Sequence, residues 1–341
     1  MSAPGTSPVT PERLMQLAWG YAPPLIIEAA LEHRVFDLLE GGPKTVREVA
    51  ALSGASARGL AIVMNALTAL QLLAKDAEGR YALTPESAAF LVSTKPSFRG
   101  GLLKRTSKML PKWLELTEIV RSGKPARALN SEQSGSEFFQ GMVESLFPVN
   151  YPSAQALAAE LGLANAGKPV RVLDLAAGSG VWGIGLAQSY PQVSVTAVDW
   201  PGVIDVTQRM AARYGLLDRF QFVTGDLQSA DFGKGYDVAT LGHILHSEGP
   251  RRNPALLEKT FQALAPGGTI AIAELLVDDE RATSTMGLLF AVNMLVNTEE
   301  GDTFSFNEIS EWLREAGFEN RRTLDSPGPS PLILANKPAA T

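Results

Sequence analysis

Val170-Arg-Val-Leu-Asp-Leu-Ala-Ala-Gly-Ser-Gly180 begins with a short apolar run, Val170 to Leu175, and ends in a turn carrying Asp174, Gly178 and Gly180. The residues that follow, 181–190, place Trp182, Ile184, Leu186 and Ala187 on the buried face of an expected helix. Strand, small-residue turn and helix make the first unit of a nucleotide-type α/β fold. In such a unit the ligand sits beyond the carboxyl end of the strand, where small residues let it approach the backbone. Three glycines at dinucleotide spacing would indicate a pyrophosphate. Here Asp174 precedes two alanines and two glycines instead. An acid at the cradle suits a ligand with an ammonium or hydroxyls better than a diphosphate, which points to S-adenosylmethionine.

Outward from this turn, strands and helices alternate to the end of the chain, the pattern of a mostly parallel sheet. Strands are expected at 170–175, 193–198, 220–224, 236–241 and 269–274, with two more near 318–324 and 331–336. The helices between them fall near 181–190, 202–214, 251–264 and 307–316. Asp199 closes the second strand 25 residues after Asp174, where an acid can accept both ribose hydroxyls. Asp226 follows the third strand in Val-Thr-Gly-Asp-Leu and is placed to receive an adenine amino proton. Each acid alone would read as a helix cap or a solvated loop residue. Their recurrence at successive strand ends is what gives them weight.

Two of the three histidines, His243 and His246, lie at the fourth strand end in Leu241-Gly-His-Ile-Leu-His-Ser-Glu. Two imidazoles without a nearby third ligand do not define a metal site, and no metal is expected. A single imidazole at a cleft suits proton transfer, because its pKa lies near neutrality. Glu274 ends the fifth strand, where an acid can orient a neutral histidine and stabilise its protonated form. Its alternative role is a cap or an arginine partner.

The N-terminal part has a different pattern. Residues 1–10 read as a flexible tail without the basic start and apolar centre of a signal peptide. Two helical stretches over 11–40 are expected to break at Pro23-Pro24, the second running from Leu25 to Leu39. Thr45 and Glu48 form a capping box, a second helix runs from about Arg58 to Leu73, and two short strands flank an Asp76-to-Gly79 turn. That is a winged-helix pattern. Its second helix is mostly apolar, with Arg58, Asn65 and Gln71 as the polar candidates, too few to read base edges. Residues 1–100 carry nine basic and nine acidic side chains, so the net charge of −6 lies entirely in residues 101–341. Neither part attracts phosphate backbones, and a packing or dimerisation role is expected instead. Residues 101–165 read as helical, interrupted near Gly123-Lys-Pro and at Pro148 to Pro152, with an aromatic and methionine cluster at Phe138, Phe139, Met142, Phe147 and Tyr151. The absence of cysteine excludes disulfides and a thiol nucleophile. No uninterrupted apolar run approaches the ~18 residues of a membrane span. A cytoplasmic protein is expected.

Taken together, Leu173-Asp-Leu-Ala-Ala-Gly-Ser-Gly, Val198-Asp-Trp-Pro-Gly-Val-Ile, Gly225-Asp226, Leu245-His246 and Glu315-Ala-Gly-Phe resemble the metal-independent, S-adenosylmethionine-dependent O-methyltransferases of the caffeate and hydroxyindole type, in their bacterial branch. The resemblance spans roughly residues 11–337. It implies an N-terminal winged-helix domain (1–100) that forms a homodimer, a helical linker (101–165) contributing to the acceptor pocket, and a Rossmann-like class I methyltransferase domain (166–341). It implies His246 as general base with Glu274 behind it. The implied donor site comprises Asp174, Ala176, Gly178, Gly180, Asp199, Trp200, Gly225, Asp226, Leu227 and His243. The acceptor pocket is expected at Phe139, Met142, Phe147, Phe290, Asn293 and Met294, suited to a small aromatic, phenolic molecule. C- or N-methylation of such a molecule is the alternative chemistry, and a ligand-sensing DNA-binding regulator the alternative class. The chain departs from the family pattern at three places: the first glycines of the cradle are Ala176 and Ala177 here, and two further differences lie downstream. The Asp-Trp after the histidine is Ser247-Glu248, and the second carboxylate of the plant enzymes falls at Thr303, beside Asp302.

Overall fold

The computed structural model describes residues 9–125, 128–129 and 132–340. The expected N-terminal tail lies, apart from Val9 and Thr10, outside them. The chain divides into two compact units, Met1–Pro111 and Lys112–Thr341.

In the first unit, helices Ala22–Glu32, Val35–Leu39, Val46–Ser53 and Ala57–Ala69 precede and flank a three-stranded antiparallel sheet. Arg80–Leu83 is its central strand, between Lys44–Thr45 and Leu73–Lys75. Phe36, Leu39, Met64, Leu67 and Tyr81 fill the core. The Thr45–Glu48 capping box forms as expected, and Ser56 caps the next helix. Asn65 is engaged internally, accepting from Tyr81 Oη and Lys75 Nζ, so the best candidate base reader has its carbonyl committed to the fold. The prolines at 23 and 24 do not break a helix. They lie in the first turn of Ala22–Glu32, where a missing N–H costs no intrahelical bond. The actual break before Val35 is at Arg34, whose φ of 57° is left-handed.

The second unit is built on seven strands: β1 (Val170–Leu175), β2 (Val193–Asp199), β3 (Phe220–Thr224), β4 (Tyr236–Gly242), β5 (Leu264–Ala273), β6 (Glu319–Leu324) and β7 (Leu332–Asn336). Their order is 3-2-1-4-5-7-6, with the first five parallel and β7 antiparallel to both neighbours. Strands β1, β2 and β4 are almost wholly buried, which is why they read as apolar runs rather than alternating ones. β5 begins earlier than expected and absorbs Pro266-Gly-Gly, with an irregular register opposite Tyr236 to Val238.

Register decides where the functional residues meet. Leu175 lies opposite both Val198 and Leu241, Asp199 opposite Thr224, and Gly242 opposite Ala273. The carboxyl ends of β1 to β5 therefore form one rim. The order reverses between β1 and β4, which opens a crevice above the rim at that point. One wall comes from the helix Val143–Glu160, which continues through Pro148 and Pro152 instead of breaking there. Its packing on the helix Val181–Ser189 holds it together: any side chain at Gly185 would meet Ala154 at 2.6 Å. Among the described residues, no single helix is long and apolar enough to cross a membrane.

Candidate active site

The turn after β1 is held in a conformation that few side chains adopt. Ala176, Gly178 and Gly180 all have positive φ, of 51°, 58° and 72°. Asp174 fixes this turn from below. It is fully buried, with Oδ1 accepting from Thr240 Oγ1 at 2.7 Å and Oδ2 from the Gly183 amide at 3.0 Å. Burial pushes its pKa up to about 7 against these two donors. Asp174 thus braces the cradle helix against β4, rather than facing a ligand as the sequence suggests. Thr240 was missed, although a polar residue within an apolar strand was a signal for it.

Asp199 is half-buried at the end of β2. It accepts from the Gly178 amide at 2.8 Å and the Trp200 amide at 2.7 Å, tying the second strand end to the turn. Desolvation raises its pKa to about 6, the two amides opposing. Trp200 continues this wall, and Phe139 packs on it with ring centroids 6.2 Å apart. The Gly225 amide donates to Asp199 O, which brings the third strand end alongside.

Asp226 does not stand free for an adenine amino group. Arg252 Nη2 reaches its two oxygens at 3.0 and 3.2 Å, and the Gln228 amide donates to Oδ1. Arg252 Nε also lies 2.8 Å from buried Glu248, outside hydrogen-bonding angle, so that contact is coulombic. Gln228 Nε2 donates to the same Glu248. The Ser-Glu departure therefore builds an ionic brace between the loop after β3 and the helix that carries His246. Sequence reading missed it, although Glu248 and Arg252 stand at the i,i+4 spacing of a helical ion pair. Leu227 is packed in the core beside Phe232.

His246 is the second residue of the helix Leu245–Ala263, which kinks at Gly249 (φ 79°). Its Nδ1 lies 2.8 Å from Glu274 Oε2, and its backbone amide donates to Oε1 at 3.3 Å. Both side chains are buried, and Phe290 meets the imidazole edge to face at 4.9 Å. Nε2 has no protein partner among the described residues. Burial opposes ionisation of Glu274, but the adjacent imidazole outweighs it and holds the carboxyl below its ordinary value. His243, in a left-handed backbone conformation at φ 60°, bonds through Nε2 to Ser330 Oγ at 2.8 Å. Desolvation lowers its pKa to about 4, so it is neutral at physiological pH.

The acceptor-side expectations separate. Phe290 reaches His246, whereas Phe147 lies in the core, stacked on Tyr151 and Tyr214 at 5.3 and 5.0 Å. It is packing, not pocket, because the helix passes through the prolines without turning that face outward. Phe139 and Met142 lie near Trp200 and the turn after β1 instead. Met142 caps the helix whose first residue, Val143, would be 3.5 Å from a Cβ at Gly178. Asn293 accepts from Asn297 Nδ2, and Met294 is buried. Thr303 is buried with its hydroxyl on Gly287 O, and Asp302 holds His246 O through its amide while its side chain faces Arg281. Neither side chain bonds the imidazole.

Strand order, cradle turn and rim of acids define a class I methyltransferase fold, whose donor set fits an adenosyl ligand: a half-buried carboxylate, an open turn and the start of a helix. The chain belongs to the O-methyltransferase family. The family's O-methyltransferase domain matches residues 113–319 and its dimerisation domain residues 15–93. The chain is 32% identical to the 3-hydroxy-5-methyl-1-naphthoate 3-O-methyltransferase of Streptomyces sahachiroi, over 98% of this chain and 99% of that one. It is 29% identical to the tetracenomycin polyketide synthesis 8-O-methyl transferase TcmO of Streptomyces glaucescens, over 96% and 97%. Human N-acetylserotonin methyltransferase, solved in complex with S-adenosylmethionine, superposes with a TM-score of 0.83 at 27% identity, covering 98% of this chain and all of the other. The protein is an S-adenosylmethionine-dependent O-methyltransferase.

Proposed function

We propose that the acceptor is a small aromatic molecule with a phenolic hydroxyl, and that His246 is the general base. The observation that carries this is the buried His246–Glu274 pair, which leaves only Nε2 free for a substrate proton. A phenol with pKa near 10 is about three units above pH 7, so unassisted ionisation forgoes roughly 4 kcal/mol. In this reading Nε2 takes the hydroxyl proton as the oxygen attacks, and Glu274 holds Nδ1–H and stabilises the imidazolium. The bound donor supplies an electrophilic methyl on a sulfonium. Asp199 holds the ribose side, Phe290 keeps the imidazole in place, and the remaining contribution is alignment.

Support for an aromatic acceptor comes from the relatives named for a naphthoate and a polyketide. We further propose a homodimer through residues 1–100, with 101–165 shared with the pocket and 166–341 binding the donor. The exposed Leu14, Met15, Leu17, Trp19 and Tyr21 in the first unit support that surface. The test is incubation with hydroxynaphthoates and polycyclic phenols plus methyl-labelled donor, reading the methylated atom by mass spectrometry and NMR. Label on ring carbon or nitrogen would overturn the phenolic assignment. For the dimer, a monomeric mass by light scattering at micromolar concentration would do so.

A further inference from the structure

Trp182 is the second residue of the helix Val181–Ser189 and only 4% exposed. Indole N–H is a donor with no acceptor function, and a buried donor without a partner is destabilising. Among the described residues this one has no hydrogen-bond partner, and it is not fully enclosed by protein. Its position is defined by Gly242, the last residue of β4. A Cβ there would lie 1.9 Å from Trp182 Nε1. The indole nitrogen thus occupies the place of a side chain at 242, over the β1–β4 crevice where the strand order reverses.

The neighbours of that N–H restrict what it meets. Asp199 claims the ribose side of the crevice, and the methyl must face His246. The amino-acid arm of the donor is left with the sector over the turn and the start of the helix. There the amides of Val181 and Trp182 have no intrahelical partner, and the helix dipole favours negative charge. The Gly183 amide is already taken by Asp174. We infer that the Trp182 indole N–H, with these first helix amides, receives the carboxylate of the methyl donor's amino-acid end. Gly242 is then the residue that makes room for the indole at that point. The inference rests on the crevice being the donor site.

The test compares S-adenosylhomocysteine with 5′-methylthioadenosine, which shares the adenosyl thioether but lacks the amino-acid end. Both are titrated calorimetrically into the intact wild-type protein and into Trp182→Phe, which keeps an aromatic ring without the donor. S-adenosylhomocysteine should bind the variant roughly tenfold more weakly, as for loss of a bond to a charged group, with methylthioadenosine within about twofold. Gly242→Ala, which displaces the indole nitrogen, should show the same selective loss and serves if Trp182→Phe does not fold. Equal losses for both ligands would mean the ring acts through packing and overturn the inference. So would unchanged binding of both, or an acceptor KM that rises while donor binding holds. Wild-type protein that binds neither ligand would instead defeat the donor site itself.

Discussion

Across the crevice, the two sides of the proposed site are built by different means. On the donor side, Asp174, Asp199 and Gly225 are bonded to strand ends and backbone amides within one or two strands of each other. On the acceptor side, His246 is set by a carboxylate 28 residues away, an aromatic ring from the helix Thr285–Asn297 and the amide of Asp302. The first arrangement follows from sheet register, which fixes strand ends relative to one another. The second follows from helix packing, which can change with the loops that carry it. A fold built this way keeps one cosubstrate while its acceptor changes.

The largest expected effect tests whether the sides are separable. His246→Ala should lower turnover about 10²–10⁴-fold while S-adenosylhomocysteine binds as in wild type. Turnover within twofold of normal would remove His246 from the base role. Glu274→Gln keeps the shape and removes the charge behind the imidazole, and a loss of about 10²-fold is expected in kcat. If donor affinity falls with it instead, Glu274 belongs to both sides.

On the donor side the expected effects are smaller and appear in binding. In the proposed reading the ionised Asp199 accepts the ribose hydroxyls; its pKa in the folded protein is raised to about 6. Protonation below that value removes an acceptor, so donor affinity should weaken as pH falls through about 6. Asp199→Asn should bind weakly at every pH and lose the inflection, and calorimetry from pH 5 to 8 is the check. Arg252→Met releases Asp226 and leaves Glu248 without its cation. Donor affinity should fall several-fold with kcat nearly unchanged, whereas a kcat loss at constant affinity would show that the ionic brace serves the base. The smallest effect belongs to Phe147→Leu, which breaks two stacked aromatic contacts for about 1 kcal/mol of stability. Acceptor KM should not move. A raised KM without a lower melting temperature would return Phe147 to the pocket.

Much of the donor side was legible because its signals are local. Val170 to Gly180 announces a buried strand and a small-residue turn, with a helix directly after, and the acids at 199, 226 and 274 mark strand ends. What those acids bond to was not legible. Asp174 reads as a ligand group and is a brace, since its partners Thr240 and Gly183 come from other elements. Asp226 reads as an adenine acceptor and is bound by Arg252. The prolines at 148 and 152 read as a helix break, but burial of the helix against Gly185 outweighs their local cost.

By itself, then, the sequence determined the fold class, the strand rim, the turn and the residue types on it, because periodicity and turn chemistry act over a few residues. Only the tertiary structure decided which carboxylates face inward, that Phe147 is core, and that Gly242 and Trp182 share one space. Most of those outcomes depend on partners far apart in sequence, such as Asp226–Arg252, Asp174–Thr240, Phe147–Tyr214 and Trp182–Gly242, and on whether a buried polar atom finds its partner in the protein.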